Sequence, residues 1–221
     1  IGILSALRFK EVTGRGQHLD ISLMDSQVSW LSYVAQNYLI SGEIPKRIGN
    51  DHPSIVPYQT VKAKDGLMVL AIANDRQFRE FCIYAKISNL IDDPKFKTNS
   101  SRVKNRSELN MIINRIIKKK TIKQWVQGLI KVNVPCGPIN NIKQVFEDKQ
   151  VKSRKMIISM KHSKAKNKKI KLIANPMNFS ESKIQYKKPP PELGQDTIKI
   201  LKKFLKLNSK DFLDLKKKKI I

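Results

Sequence analysis

The chain has 221 residues, of which 40% are hydrophobic, and it carries a formal net charge of +26. That length and apolar content are enough to bury a sizeable core in one or two domains. No stretch approaches the roughly 18 consecutive apolar residues of a membrane-spanning helix, so the sequence predicts no transmembrane segment and no membrane partner.

The positive charge comes mainly from lysine, because 35 of the 44 basic residues are Lys and 9 are Arg. Specific recognition of bases and phosphates favours the planar guanidinium of arginine. The densest lysine runs lie at 118–120, 161–171 and 216–219, and no aromatic residues interleave them as stacking platforms. We interpret the charge as a solvated surface without a specific nucleic-acid partner. A basic nucleic-acid-binding or interaction protein is the alternative from another functional class.

The first helix is predicted at the very start of the chain. Residues 1–7 are apolar and typical of a helix interior, and the helix should end near Val12, before a Thr-Gly stop signal. Because the sequence begins without Met and inside this apolar segment, we interpret it as a fragment.

A short strand is predicted at 17–23, followed by one long helix. The helix runs through Trp30 and Tyr38, where apolar residues recur at spacings of three and four. Asp25 or Ser26 can cap its start.

The most distinctive segment is RIGNDHPSIVPYQTVKAKDG at 47–66. Its glycine allows a positive φ, its Asn-Asp pair tolerates left-handed backbone, and its first proline biases the preceding histidine toward an extended conformation. A loop of this kind can cover a substrate, although an ordinary exposed connection is the alternative. The candidate substrate-loop residues are Gly49, Asn50, His52, Pro53 and Ser54.

The middle of the chain predicts a small α/β unit. A strand from Ile55 to Lys62, a turn at 64–66 and an apolar strand at 67–73 form a hairpin. Helices are then predicted from Gln77 to about Ala85 with an Asn74 or Asp75 cap, over 101–120, and after a Thr121 cap. Their apolar faces predict these core residues: Phe78, Phe81, Cys82, Leu109, Ile112, Ile113, Ile116, Ile117, Trp125, Val126, Leu129 and Ile130.

The last third begins with an irregular turn, predicted at 135–138 from its Pro and Gly residues. The elements predicted beyond it are a helix started by Asn140 or Asn141, strands at 156–160 and 170–174, a Pro-rich link at 187–191 and a terminal helix at 198–205.

The two cysteines, Cys82 and Cys136, lie far apart and outside any Cys-x-x-Cys or Cys/His spacing, so the sequence predicts neither a metal site nor a disulfide framework. Cys82 is interpreted as a packing residue. Cys136 invites a nucleophile interpretation, but no nearby His or basic cluster explains a lowered thiol pKa. This cysteine usage favours a reducing compartment.

Five segments together resemble the family III CoA-transferases, also called the CaiB/BaiF family. They are TGRGQHLDISLMD at 13–25, NYLISGEIPKRIGNDHPSIVPYQ at 37–59, KDG at 64–66, VPCGPINNIKQVFEDKQV at 134–151 and PPPELGQDT at 189–197. They occur in the family's order and cover essentially the whole chain. Within the family, the chain is most similar to the dicarboxylate-handling branch that includes succinyl-CoA:glutarate CoA-transferase.

The resemblance implies an α/β fold, as the C-terminal portion of the family III fold in an interlocked homodimer. Residues 1–57 would be part of a Rossmann-like large domain with a connecting helix, 58–152 an inserted small α/β domain, and 153–221 the return to the large domain with C-terminal helices. Most of the CoA-binding half would then precede Ile1.

The chemistry implied by the resemblance is CoA transfer between an acyl-CoA, such as succinyl-CoA, and a carboxylic acid through an aspartyl covalent intermediate. The family's aspartate would lie before Ile1, so no catalytic residue is assigned within this chain. Asp20 and Asp25 are interpreted as structural, since they lie in a predicted strand and at a predicted helix start. The three histidines, His18, His52 and His162, form no acid-base constellation in the sequence.

The resemblance further implies a coenzyme A thioester as substrate, no tightly bound cofactor, and a loop at 49–54 that covers the active site. The favoured location is the cytoplasm, or the mitochondrial matrix in a eukaryote. An acyl-CoA racemase or isomerase of the same fold is the alternative activity, and its His/Asp pair would also lie upstream.

Overall fold

The structure is a computed structural model that describes all 221 residues, as eleven α-helices and five β-strands. The chain divides into two units, residues 1–138 and residues 139–221, and each is described by itself. The predicted domain boundaries at residues 57 and 152 stay predictions. None of the helices has the length and apolarity needed to cross a bilayer.

Three helices open the first unit: α1 Gly2–Thr13, α2 Leu23–Ser29 and α3 Ser32–Ser41. Helix α1 ends as predicted, at Gly14, which adopts φ 72° and donates its backbone N–H to Lys10 O. No residue of α1, α2 or α3 is buried.

Three predictions for this N-terminal segment are wrong. Residues 17–23 form no strand, because no other segment pairs with them. The single long helix is two helices, since Ser32 adopts a positive φ of 48° and interrupts the helical backbone. Neither Asp25 nor Ser26 is the cap, because the extended Ser22 accepts the N–H of Asp25 on its own hydroxyl.

A three-stranded antiparallel sheet forms the centre of the first unit, in the order β1-β2-β3. Strand β1 is Tyr58–Lys62, and it pairs through the predicted hairpin turn with β2, Leu67–Ala71. Strand β1 begins later than predicted because Pro57 has no N–H to donate to a ladder. The irregular turn predicted at 135–138 is instead a short edge strand, β3 Cys136–Pro138, which pairs with β2; an edge position tolerates its proline.

The helices that cover this sheet are α4 Asp75–Ala85, a 3₁₀ turn at Ser88–Leu90, α5 Asn99–Lys104, α6 Arg106–Ile117 and α7 Ile122–Lys131. The Asn74 and Thr121 caps are confirmed, and Thr121 forms a capping box with Gln124. The continuous helix predicted over 101–120 is wrong, because the backbone leaves the helical conformation at Asn105 and separates α5 from α6.

Most of the predicted core residues are buried, and Met68, Leu70, Ile72, Leu90, Phe96 and Val134 join them. Ile112, Ile116 and Val126 are partly buried against this core. The prediction that Ile130 is a core residue is wrong, since 59% of it is exposed. The i,i+4 pair Trp125 and Leu129 sets the buried face of α7, and Ile130 points away from that face.

The second unit is built around a two-stranded antiparallel sheet, as predicted. Its strands are β4 Ile157–Lys161 and β5 Lys169–Ile173. Its helices are α8 Ile142–Glu147, capped by Asn141 as predicted, and α9 Lys149–Ser153, α10 Thr197–Leu205 and α11 Ser209–Lys217. Only Ala174 and Phe212 are buried hydrophobic residues here.

Candidate functional site

The 49–54 loop connects the segment after α3 to strand β1. Gly49 adopts φ 66°, in the left-handed region that the sequence predicts. A Cβ added at Gly49 would meet no atom within 4 Å, so backbone conformation and not space favours glycine here. Next to it, Asp51 closes a turn by donating its N–H to Ile48 O at 3.3 Å.

His52 lies between two tyrosine rings. Its ring is stacked on Tyr33 of α3, with centroids 5.2 Å apart and an interplanar angle of 10°. Its centroid lies 5.4 Å from that of Tyr58 in β1. The Ser54 N–H donates to His52 Nδ1 at 3.1 Å. Because Nδ1 accepts, a neutral His52 ring carries its proton on Nε2, which makes Nε2–H a hydrogen-bond donor.

A pocket of about 390 Å³ lies beside this histidine, and its lining residues are Tyr33, Asn50, Asp51, His52 and Tyr58. That volume is within the range of small-ligand sites. The lining combines an apolar ring surface with polar groups, which suits a small polar molecule. Of the predicted substrate-loop residues, Asn50 and His52 line the pocket, and Gly49, Pro53 and Ser54 do not.

Three side chains that the sequence did not single out hold the rest of the loop. Asn99 at the start of α5 donates to Ser54 O at 2.8 Å and accepts the Val56 N–H at 3.1 Å. Arg102, one turn later, donates through Nε to Val56 O at 2.7 Å. These contacts fix the loop's exit into β1.

The third side chain is Arg106, at the start of α6. Its Nη2 donates to His52 O at 2.8 Å and to Pro53 O at 2.7 Å. Its Nη1 lies 3.7 Å from Asp51 Oδ2, close enough for an ion pair but too far for a hydrogen bond. One guanidinium therefore contacts three successive residues of the loop.

The sequence placed Arg102 and Arg106 in the amphipathic helix predicted over 101–120, placed Asn99 before it, and assigned none of the three a role. Arg102 is in fact completely buried, where it pairs with Asp75 at 2.7 Å and lies 4.4 Å from the centroid of the Phe78 ring. The sequence feature that could have indicated these contacts is the use of arginine, because only 9 of the 44 basic residues are Arg. A guanidinium can serve several carbonyls at once, which an ammonium does less well. That signal is weak, since exposed arginines such as Arg115 share it.

Neither cysteine has the environment of a nucleophile. Cys82 is fully buried in the core, and burial raises its pKa to about 12 although Arg102 acts in the opposite direction. Burial also raises the pKa of Cys136. Because the thiolate is the reactive form, both thiols are weak nucleophiles near neutral pH. The packing interpretation of Cys82 is confirmed, and the nucleophile interpretation of Cys136 finds no support.

The other candidate residues lie away from the loop. His18, Asp20 and Asp25 are exposed, and the side chains of His18 and Asp20 make no hydrogen bonds. His162 belongs to the second unit. No cluster of three or more His, Cys, Asp or Glu residues that could hold a metal ion occurs in the structure.

The second unit holds a small polar group beside His162. Ser163 donates to Glu192, and Lys164 pairs with the same carboxylate at 3.0 Å. The Ser163 hydrogen bond, followed by that of Lys164, lowers the pKa of Glu192. This is the behaviour of an exposed ion pair, so we assign the group no chemical role.

Comparison with known sequences identifies the kind of protein. The sequence model of CoA-transferase family III matches residues 1–197. Human succinyl-CoA:glutarate CoA-transferase is 39% identical over 208 residues, which are 94% of this chain and 47% of the human protein. Succinate–glutarate CoA-transferase from Agrobacterium fabrum is 35% identical over 199 residues, or 90% of this chain and 49% of that protein. The chain spans about half the length of these relatives.

Comparison with solved structures agrees. A CaiB/BaiF family protein from Brucella suis superposes with a TM-score of 0.72 at 36% sequence identity. The match covers 91% of this chain and 51% of the Brucella chain. The mixed helix and sheet architecture expected from the sequence is therefore confirmed.

Proposed function

Because the chain belongs to CoA-transferase family III, we propose that the full-length protein moves coenzyme A from an acyl-CoA to a carboxylic acid. The match over residues 1–197 is the observation that carries this proposal. The two relatives described above are named for succinyl and glutarate substrates, which supports succinyl-CoA as donor and a dicarboxylate as acceptor.

In this proposal an aspartate outside the present chain attacks the thioester carbonyl and releases CoA thiolate, forming a mixed anhydride. The thiolate then attacks the aspartyl carbonyl, so that the donor acid leaves and an aspartyl-CoA thioester forms. The acceptor carboxylate attacks this thioester, and the released thiolate finally takes the acyl group from the second anhydride. Dividing one exchange into such steps is the advantage of covalent catalysis.

The 49–54 loop has two parts in this reaction. Its pocket, beside His52 and Asn50, offers hydrogen-bond donors to a carboxylate or a thioester oxygen. If it also lies over the reacting groups, as the family resemblance implies, it would keep water from the anhydride. The stacked rings and the Ser54 contact, which leave Nε2–H of His52 as a donor, support the first role.

The alternatives have less support. A racemase or isomerase needs a His/Asp pair for proton transfer, and the relatives described above are named as transferases. Specific nucleic-acid recognition favours arginine, and only 9 of the 44 basic residues are Arg. We further propose an interlocked homodimer without a tightly bound cofactor, located in the cytoplasm or, in a eukaryote, the mitochondrial matrix.

The proposal is tested by incubating the full-length protein with succinyl-CoA and glutarate and separating the CoA esters by chromatography. We expect glutaryl-CoA to form, and we expect residues 1–221 alone to form none. Hydroxylamine should trap the covalent intermediate on an aspartate, located by mass spectrometry of the protein. A trapped adduct on Cys136, or the absence of transfer to any dicarboxylate, would contradict the proposal. The Cys136→Ala variant is the matched control and should keep its activity.

The loop's role is tested by Gly49→Val in the full-length protein. A β-branched residue is strained by about 1–3 kcal/mol at a positive φ, so transfer should fall and the ratio of thioester hydrolysis to transfer should rise. The melting temperature should fall by only a few degrees, at about 2–4 °C per kcal/mol of that strain, because no atom lies within 4 Å of the added Cβ to add a steric clash. His52→Ala should act more mildly, since we assign it positioning and not proton transfer. If both variants keep wild-type kinetics and partitioning, the loop is only a connection.

A further inference from the structure

The backbone carbonyls of the loop accept hydrogen bonds from side chains of two consecutive helices, α5 and α6. The carbonyls of residues 52, 53, 54 and 56 all accept hydrogen bonds from side chains at positions 99, 102 and 106. Positions 99 and 102 are three apart and lie on one side of α5. Position 106 lies on α6, beyond the break at Asn105, and its side chain also reaches the loop. An irregular loop has few backbone partners of its own, so these side chains determine its conformation.

The three side chains differ in how deeply they are embedded. Arg102 is fully buried and also donates to Phe96 O at 2.9 Å, so it belongs to the core. The side chain of Arg106 is 20% exposed, and its hydrogen bonds go only to loop residues. Arg106 is therefore the contact whose removal changes the loop without opening the core.

The position of His52 depends directly on this contact. Its carbonyl accepts from Arg106 at 2.8 Å, while its own N–H donates to Tyr58 O at 2.9 Å. The backbone of His52 is thus held from two directions, and its ring is held by Tyr33 and Ser54. A charge-assisted hydrogen bond is about twice as strong as a neutral one, which makes Arg106 the strongest of the polar contacts on this residue.

We propose that Arg106 is a positioning residue for the proposed transfer reaction. By holding the carbonyls of His52 and Pro53 and attracting Asp51, it keeps the loop ordered and the Nε2–H of His52 at the pocket. Arg106 itself does not line the pocket, so it acts through His52 and not on substrate. This inference rests on the proposed function for its kinetic consequence, and its structural part can be measured independently.

The structural part is tested by hydrogen exchange and mass spectrometry of the full-length protein. In Arg106→Met, the amides of His52, Ser54 and Val56 should exchange roughly tenfold faster, because charge-assisted contacts that hold the loop are lost. Arg106→Lys should restore part of the protection, since an ammonium can still donate to both carbonyls. Arg115→Met, an exposed arginine on the same helix, is the matched control and should leave these amides unchanged.

The kinetic part uses the same variants with succinyl-CoA and glutarate. Arg106→Met should lower kcat about tenfold, change KM less, and raise the ratio of hydrolysis to transfer. A lowered melting temperature would not by itself produce this change in partitioning or its partial rescue by lysine. If Arg106→Met does not fold, Arg106→Gln provides the same two measurements.

Each result decides a different claim. Unchanged amide exchange in Arg106→Met would overturn the inference, and so would faster exchange with wild-type kinetics and partitioning. A wild-type protein without any transfer activity would overturn the proposed function instead. In that case faster exchange at 52–56 would still support the anchoring contact, and unchanged exchange would refute it.

Discussion

Residues 1–41 and residues 56–134 are both rich in apolar side chains, but only the second region buries them. Helices α1, α2 and α3 contain no buried residue, and Leu4 and Trp30 are 72% and 77% exposed. Between 56 and 134, by contrast, seventeen side chains form one buried cluster around the sheet. Apolar content alone therefore does not make a core; an apolar helix face also needs a surface to pack against.

The difference also indicates what is needed to complete each region. The 56–134 region supplies both sides of its own core, from the sheet and from α4 to α7. The exposed faces of α1, α2 and α3 form the kind of surface that a folded protein covers. The candidate site lies where the regions meet, because His52 is stacked on Tyr33 of the first and near Tyr58 of the second. The site therefore contacts the region with a buried core on one side and a helix without buried residues on the other.

Replacing an arginine in each region should give the largest difference in the loss of unfolding free energy. Arg102→Met in residues 1–221 should lower the free energy of unfolding by about 2–6 kcal/mol, since it leaves the carbonyls of Val56 and Phe96 without their donor at a cost of about 1–3 kcal/mol each. Arg8→Met in α1 should change it by less than about 0.5 kcal/mol, because Arg8 is exposed. Urea denaturation measures both. Equal losses in the two variants would contradict the contrast.

Replacing a leucine in each region should give the next largest difference in the loss of unfolding free energy. Leu129→Ala removes a fully buried side chain and should lower the free energy of unfolding by about 2–5 kcal/mol. Leu4→Ala should have an effect within about 0.5 kcal/mol in residues 1–221.

Repeating the Leu4 measurement in the full-length protein sharpens the comparison. If other parts of the protein or a second copy cover α1, Leu4→Ala should there become as destabilising as a core substitution. If it stays neutral in both, the exposed face of α1 is simply surface.

The features that the sequence predicts correctly are those that local chemistry determines. The Asn74, Thr121 and Asn141 caps and the 64–66 turn depend on residues within a few positions of one another, and all were predicted. Gly14 ended α1 for the same reason. Such signals act before any distant contact forms, so the sequence alone can carry them.

The features that the sequence does not predict depend on contacts between distant parts of the chain. The predicted strand at 17–23 lacks a partner, and the Pro-containing segment at 135–138 found one in β2. Asn105 breaks a strong helical pattern while its side chain donates to Lys95 O at 3.2 Å. The same applies to the site: the loop was located from its own turn residues, but its anchors lie more than forty residues away.

The two tryptophans provide a smaller test of the comparison. Trp125 donates Nε1–H to Ile117 O at 2.7 Å inside the core, so Trp125→Phe should lower the free energy of unfolding by about 1–3 kcal/mol. Trp30→Phe should change it by less than about 0.5 kcal/mol. Acrylamide quenching of each single-tryptophan variant gives an independent measurement. Stronger quenching of Trp125 than of Trp30 would show that the burial of the two regions is reversed.

The smallest effect concerns the titration of Cys82, which measures how well the 56–134 core excludes water. Burial raises its pKa from 9.0 to about 12, so the folded state holds this proton more tightly than the unfolded state. Its contribution to stability is therefore fully present below pH 9 and is lost as the pH rises toward 12.

Between about pH 8 and pH 10, the free energy of unfolding of the wild-type chain should fall by about 1 kcal/mol more than that of Cys82→Ala. Urea denaturation at the two pH values measures the difference, and Cys136→Ala, which alters a less buried thiol, should follow the wild-type slope more closely. Parallel pH profiles for wild type and Cys82→Ala would mean that water reaches Cys82, and the core of this region would then be no drier than the helices that precede it.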